Sequence, residues 1–172
     1  MALFRDKQFD VVARGEARLE FNQTLADEPN YLQGFGGDTS NAAIAAARAG
    51  ARTAYLTRVG ADTFGNALVD LWQREGVSTA AVQRDEAAPT GIYFVTHGKA
   101  GHEFSYLRAG SAASRMTPKW LSDGATDVIS SAHILHLSAI SLAISPGACD
   151  TAFAAMGLAR TSGTRVSFDS NL

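Results

Sequence analysis

With 15 basic and 17 acidic side chains among 172 residues, the chain has a formal charge of −2, which leaves no electrostatic footprint for a nucleic-acid partner. At 46% hydrophobic and 19% charged it has the composition of a soluble globular chain, long enough for one domain or most of one. No apolar run reaches membrane-spanning length and residues 1–7 lack a signal-peptide pattern, so neither a membrane nor a secretory route is expected, and a cytoplasmic location is.

In chain order, residues 9–13 form a short β-prone run. After Gly15, the alternation over 16–21 marks a second, half-exposed strand. Arg14 and Arg18 interrupt this apolar pair; they either snorkel to an edge or mark a polar cleft. The polar segment 22–33, holding Pro29, reads as loop or edge structure. Phe35-Gly36-Gly37-Asp38-Thr39-Ser40-Asn41 then leads into an alanine-rich helix, predicted over 39–49 and stopped by Gly50. Asp38, Thr39 or Ser40 can cap it. A bare glycine pair at a helix N-terminus suits an oxygen-rich or anionic ligand lying against backbone N–H groups. An ordinary capped loop before a core helix fits the same residues.

Residues 52–59 read as a strand ended by Gly60, and Asp62 or Thr63 caps the helix that follows. Its Phe64, Leu68, Leu71 and Trp72 recur at helical spacing until Gly76. Strand–helix alternation of this kind predicts parallel βαβ units. From Thr79 the pattern changes: 90–96 and 103–108 are β-rich runs joined by a glycine-bearing hairpin link over 97–102. With no helix between them, these strands are expected to leave the parallel sheet as a flap. A short helix from Pro118, a strand over 133–138, a helix from Pro146 to Arg160 and a strand over 165–169 return the chain to α/β order.

Several familiar chemistries are absent. Gly34-Phe35-Gly36 begins a dinucleotide fingerprint, but Thr39 replaces its third glycine and no buried strand precedes it. His133 and His136 point to opposite faces of one strand, and His97 and His102 flank a hairpin tip facing solvent. Ser138, Ser141 and Ser145 lack the context of a hydrolase nucleophile. Cys149 rules out an internal disulfide and reads as a buried small hydrophobe. Tyr106 and Arg108 share a strand face, and Tyr93 can join them across the hairpin. A guanidinium flanked by phenols is a receptor for a carboxylate; packed tyrosines beside a surface arginine is the alternative. Asp169 and Asn171 follow the last strand, at the carboxyl end where open α/β sheets gather ligands.

Gly36-Gly37, Asn41, Ala43, Gly50 and Gly60 stand at the spacing of the first signature of the ribokinase (PfkB-type) carbohydrate kinases. The chain resembles the N-terminal half of that family over its whole length. Within the family the likeness is to the 2-keto-3-deoxygluconate kinases. It is carried by Gly15-Glu16 with Glu20, by the stretch from Phe35 to Asn41, and by Tyr106-Leu107-Arg108. Leu137-Ser138, Ile140 to Pro146, and Phe168-Asp169-Ser170-Asn171 extend it.

The resemblance implies a ribokinase-like three-layer α/β/α sandwich with a small β-sheet lid. The lid strands would lie near 16–34 and 90–108, and the C-terminal part of the domain would be missing. The activity implied for the intact enzyme is transfer of the γ-phosphoryl group of ATP, with Mg2+, to a sugar acid. Gly36, Gly37 and Asn41 would line the sugar side, and Tyr93, Tyr106 and Arg108 would reach in from the lid. Asp169 and Asn171 would complete the substrate-binding set. The family's aspartate base and anion hole belong to a Gly-Ala-Gly-Asp motif, expected beyond Leu172. No catalytic residue and no metal site are therefore predicted here, and the isolated chain is expected to be inactive. A homo-oligomer through the lid sheet is also implied. A neutral-sugar kinase of fructokinase or ribokinase type is the alternative activity; a non-catalytic sugar-binding polypeptide is the alternative of another class.

Overall fold

The computed structural model describes residues 7–26, 28–99 and 101–171. Residues 1–6 and Ala100 of the hairpin link, which the sequence reading also touches, lie outside them. Five strands form a parallel sheet in the order β5-β4-β1-β8-β9. These are β1 (Phe9–Arg14), β4 (Thr53–Gly60), β5 (Val77–Asp85), β8 (Ala132–Ser138) and β9 (Arg165–Asp169). A second sheet, in the order β3-β2-β6-β7, contains β2 (Arg18–Gln23), β3 (Tyr31–Gly36), β6 (Ile92–Gly98) and β7 (Gly101–Leu107).

The period of two along a strand explains how the large sheet supports two cores. Val12, Ala54 and Leu56 face one side; Ala13, Tyr55 and Val59 face the other. The second side is covered by α1 (Asp38–Arg48) and α2 (Thr63–Arg74), whose Ala43, Leu68 and Trp72 are buried. The first is covered by α3 (Pro118–Gly124), α4 (Thr126–Ser130), the short α5 (Ala139–Leu142) and α6 (Pro146–Thr161). The result is the α/β/α sandwich with a separate small sheet. Asp62 caps α2 by accepting from the Gly65 N–H at 2.7 Å. Ser145 caps α6 by accepting from the Ala148 N–H at 3.0 Å.

Two local expectations are corrected and a third is narrowed. Helix α1 begins at Asp38, with Gly37 as N-cap and no side-chain cap, so none of Asp38, Thr39 and Ser40 serves as the cap. Of the two readings of segment 22–33, edge structure holds at its end and loop structure does not, since Tyr31–Gly36 pairs antiparallel with β2. Strand β5, absent from the sequence reading, extends the large sheet at its edge beside β4. The strands at 92–98 and 101–107 do leave the parallel sheet, pairing with each other and with β2. No described helix is long and apolar enough to cross a membrane.

Candidate active site

Strand order turns at β1: β4 and β5 lie on one side of it, β8 and β9 on the other. Ligand crevices form at such switch points, outside the carboxyl ends of the strands. The expected site residues gather on that end. Gly37 sits at φ 133°, a conformation that favours glycine, and a Cβ there would lie 2.8 Å from the Glu16 carbonyl oxygen. The chain can therefore turn into α1 directly beside the root of β2. No side chain caps α1, so its first-turn N–H groups are left without a side-chain acceptor. Asn171 Nδ2 donates to Asp38 Oδ2 at 3.4 Å, joining the end of β9 to the start of α1. Asn171 itself turns through φ 54° and donates its N–H to Asp169 Oδ1 at 2.9 Å. Asn41 lies exposed in α1, its N–H bonded to the Gly37 carbonyl at 2.8 Å.

The small sheet meets this region where β3 runs into α1. Tyr93 on β6 stands opposite Tyr106 on β7, with ring centroids 5.7 Å apart. Tyr93 presses on Gly36, where any Cβ would overlap its phenol. The Tyr93 hydroxyl donates to Glu20 Oε2, and Asn22 Nδ2 donates to Glu20 Oε1 at 3.2 Å. Burial, with the Glu20 carboxylate beside it, pushes the Tyr93 phenol well above its ordinary pKa. The phenol therefore stays a hydrogen-bond donor at neutral pH.

Arg108 is already paired with a carboxylate. Strand β7 ends at Leu107, and Arg108 turns to the buried Glu16, with Nη2 2.5 Å from Oε2. Ser111 Oγ donates to the other Glu16 oxygen at 2.6 Å. Arg18 instead lies over the phenols, its Cζ 5.3 Å from the Tyr93 ring and 5.4 Å from the Tyr106 ring. It has no carboxylate partner among the described residues, and its Nε is buried without a hydrogen bond. Of the two readings of the early arginines, Arg18 marks the polar cleft. Arg14 does neither: it is fully buried, donating to the carbonyls of Ser141 at 3.3 Å and Ala148 at 2.7 Å. Burial lowers its pKa to about 10. Glu16, Arg18 and Glu20 are the cleft residues that the site expectation left out. Period-two spacing of Arg18, Glu20 and Asn22 along β2 was the signal available.

Residues 6–172 match the family model "pfkB family carbohydrate kinase". The chain belongs to the pfkB family of carbohydrate kinases. It is 35% identical to a probable fructokinase-4 of Arabidopsis thaliana, over 100% of this chain and 53% of that protein. It is also 35% identical to a 2-dehydro-3-deoxygluconokinase of Thermoproteus tenax, over 97% of this chain and 51% of that one. Among solved structures, a PfkB protein from Polaromonas sp. JS666 superposes with a TM-score of 0.88 at 30% identity, covering 95% of this chain and 56% of that one. A fructokinase from Xylella fastidiosa with bound ATP gives 0.86 at 28% identity, covering 96% and 49%. The chain thus spans about half the length of the relatives it matches. PfkB kinases use ATP. Among the described residues no group of three or more His, Cys, Asp and Glu side chains is placed to hold a metal ion.

Proposed function

We propose that the complete kinase built on this chain phosphorylates a keto sugar acid, 2-keto-3-deoxygluconate, with ATP and Mg2+. The observation that carries this reading is Arg18: a guanidinium lying over two neighbouring phenols, with no carboxylate of its own among the described residues. Burying such a charge is costly unless an anion completes it, and a substrate carboxylate can accept two parallel charge-assisted hydrogen bonds from the fork. Arg18 takes the role expected of Arg108, because Glu16 already neutralises Arg108. Gly36 and Gly37 give the sugar access to backbone, Tyr93 and Tyr106 flank its acidic end, and Asn41, Asp169 and Asn171 line the opposite wall. The catalytic base belongs to the portion that the relatives carry beyond the aligned half. Further out on the face that carries Tyr106, the exposed Phe104 offers a surface for pairing two copies.

A neutral-sugar reading has its own support in the fructokinase relatives and in Glu20, whose carboxylate suits sugar hydroxyls. Comparing kcat/KM for 2-keto-3-deoxygluconate and fructose, in the complete enzyme and in Arg18→Met, separates the two. The acid is expected to be preferred, and Arg18→Met to cost it roughly 10- to 100-fold while fructose turnover is unchanged. A preference for fructose, with equal effects on both substrates, would overturn the acid reading. Phosphoryl transfer by the 172-residue chain alone would overturn the placement of the base outside it.

A further inference from the structure

The small sheet carries a feature that the kinase reading does not use. His97 on β6 and His102 on β7 are register partners, and their Nδ1 atoms lie 2.9 Å apart. The rings meet nearly at right angles, with centroids 4.7 Å apart. Both side chains stand on the face that also carries Tyr93 and Tyr106, since all four occupy alternate positions of one antiparallel pair.

The hydrogen-bond pattern fixes the protons. Asn22 Nδ2 donates to Glu20 Oε1 at 3.2 Å, which turns the amide oxygen of Asn22 toward His97 Nε2 at 2.9 Å. When His97 is neutral, this contact keeps its proton on Nε2 and leaves a lone pair at Nδ1. In the metal-free protein, His102 Nδ1–H donates to that lone pair. A ring nitrogen held by an amide carbonyl, with its other nitrogen bare, is the arrangement found behind metal-bound imidazoles. The His97 main chain is held as well, its N–H donating to Gln23 Oε1 at 2.8 Å.

We propose that His97 and His102 form a two-imidazole chelate for a late first-row divalent cation, copper(II) or nickel(II). Two metal–nitrogen bonds of about 2.05 Å meeting at about 90° place their nitrogens about 2.9 Å apart, which is the separation present. A tetrahedral angle would need about 3.3 Å. The geometry thus favours the square arrangement of copper(II) and nickel(II) over that of zinc. On binding, the His102 proton moves from Nδ1 to the exposed Nε2, so both Nδ1 lone pairs reach the metal and no proton is lost. Water or an exogenous ligand fills the remaining positions. The bound cation cross-links β6 and β7 near the hairpin tip and, through Asn22, ties them to β2. This inference stands apart from the choice of sugar.

Copper(II) chloride titrated into the protein, followed by EPR and by paramagnetic broadening of the histidine ring signals, tests it. One equivalent is expected to bind with two-nitrogen hyperfine structure, broadening His97 and His102 before His133 and His136. His97→Gln or His102→Gln should weaken binding roughly 100-fold, because the second ligand acts at a high effective concentration. Asn22→Ala should weaken it about 10-fold through loss of ring orientation. Unchanged affinity in either histidine variant, or first broadening at His133 or His136, would overturn the site. The broadening order is read on the unmutated protein, so it decides the matter even if a variant misfolds.

Discussion

In the parallel sheet, neighbouring residues Val12 and Ala13 are both shut off from water, one in each core. In the small sheet, Leu19 is buried on one face, while Tyr106 and Phe104 on the other face of the same sheet are more than half exposed. The first sheet is sandwiched between helices; the second packs on one side only, where Phe21 meets Phe64 of α2 edge-on at 6.0 Å. The difference teaches where rigidity and chemistry are divided. The large sheet fixes the crevice end, and the small sheet spends one face on attachment and leaves the other open.

Substitutions on the two sheets should therefore cost different amounts. Leu135→Ala, in the fully buried centre of β8, is expected to lower stability by about 2–5 kcal/mol in urea denaturation. Phe104→Ala on the open face should cost under about 1 kcal/mol; equal losses would break the comparison. At the junction, Glu16→Gln strands the partly buried Arg108 and should cost about 3 kcal/mol. Adding Arg108→Met should recover much of that loss, and a double-mutant cycle measures the coupling. Gly37→Ala places a side chain where φ is 133° and the Glu16 carbonyl is close, and should cost about 1–3 kcal/mol.

The smallest effect lies at the far end of β1. Asp10 is held at a pKa of about 2, chiefly by hydrogen bonds from the Arg52 side chain, against an ordinary 3.8. Its folded-state pKa is depressed, so its contribution is complete above pH 3.8 and fades as pH falls toward 2. The Tm difference between the parent protein and Asp10→Asn should be constant above pH 4 and shrink below it. A difference that does not change with pH would show that the Arg52 contact does not stabilise the fold.

Legibility in the sequence followed local rules. The central strands and α2 were readable because their periodicity is uninterrupted. Strand β5 was not: only Val77, Ala81 and Asp85 are buried along it, and a register shift against Ala54 and Leu56 breaks the alternation. In the cleft, the glycines were readable because a backbone approach leaves a compositional trace. The Glu16–Ser111 bond joins residues 95 positions apart, and no local pattern encodes it. The Arg108–Glu16 pair was hidden for a related reason: strand β7 stops one residue before Arg108, and past that point period two no longer fixes the side chain.

The position of β1 at the middle of the large sheet bears on how the protein is made. Its register partners on one side begin at Thr53, but those on the other begin only at Ala132. During synthesis β1 therefore emerges as an edge strand, and about 70 residues separate the end of β4 from the start of β8. At ribosomal rates of about 5–20 residues per second, that edge stays open for roughly 4–14 s. Val12 and Leu56 spend that interval without β8, α4 and α6, the elements that complete their core. The nascent chain thus carries an apolar strand edge for seconds, long enough for a chaperone to bind it before the last partner arrives.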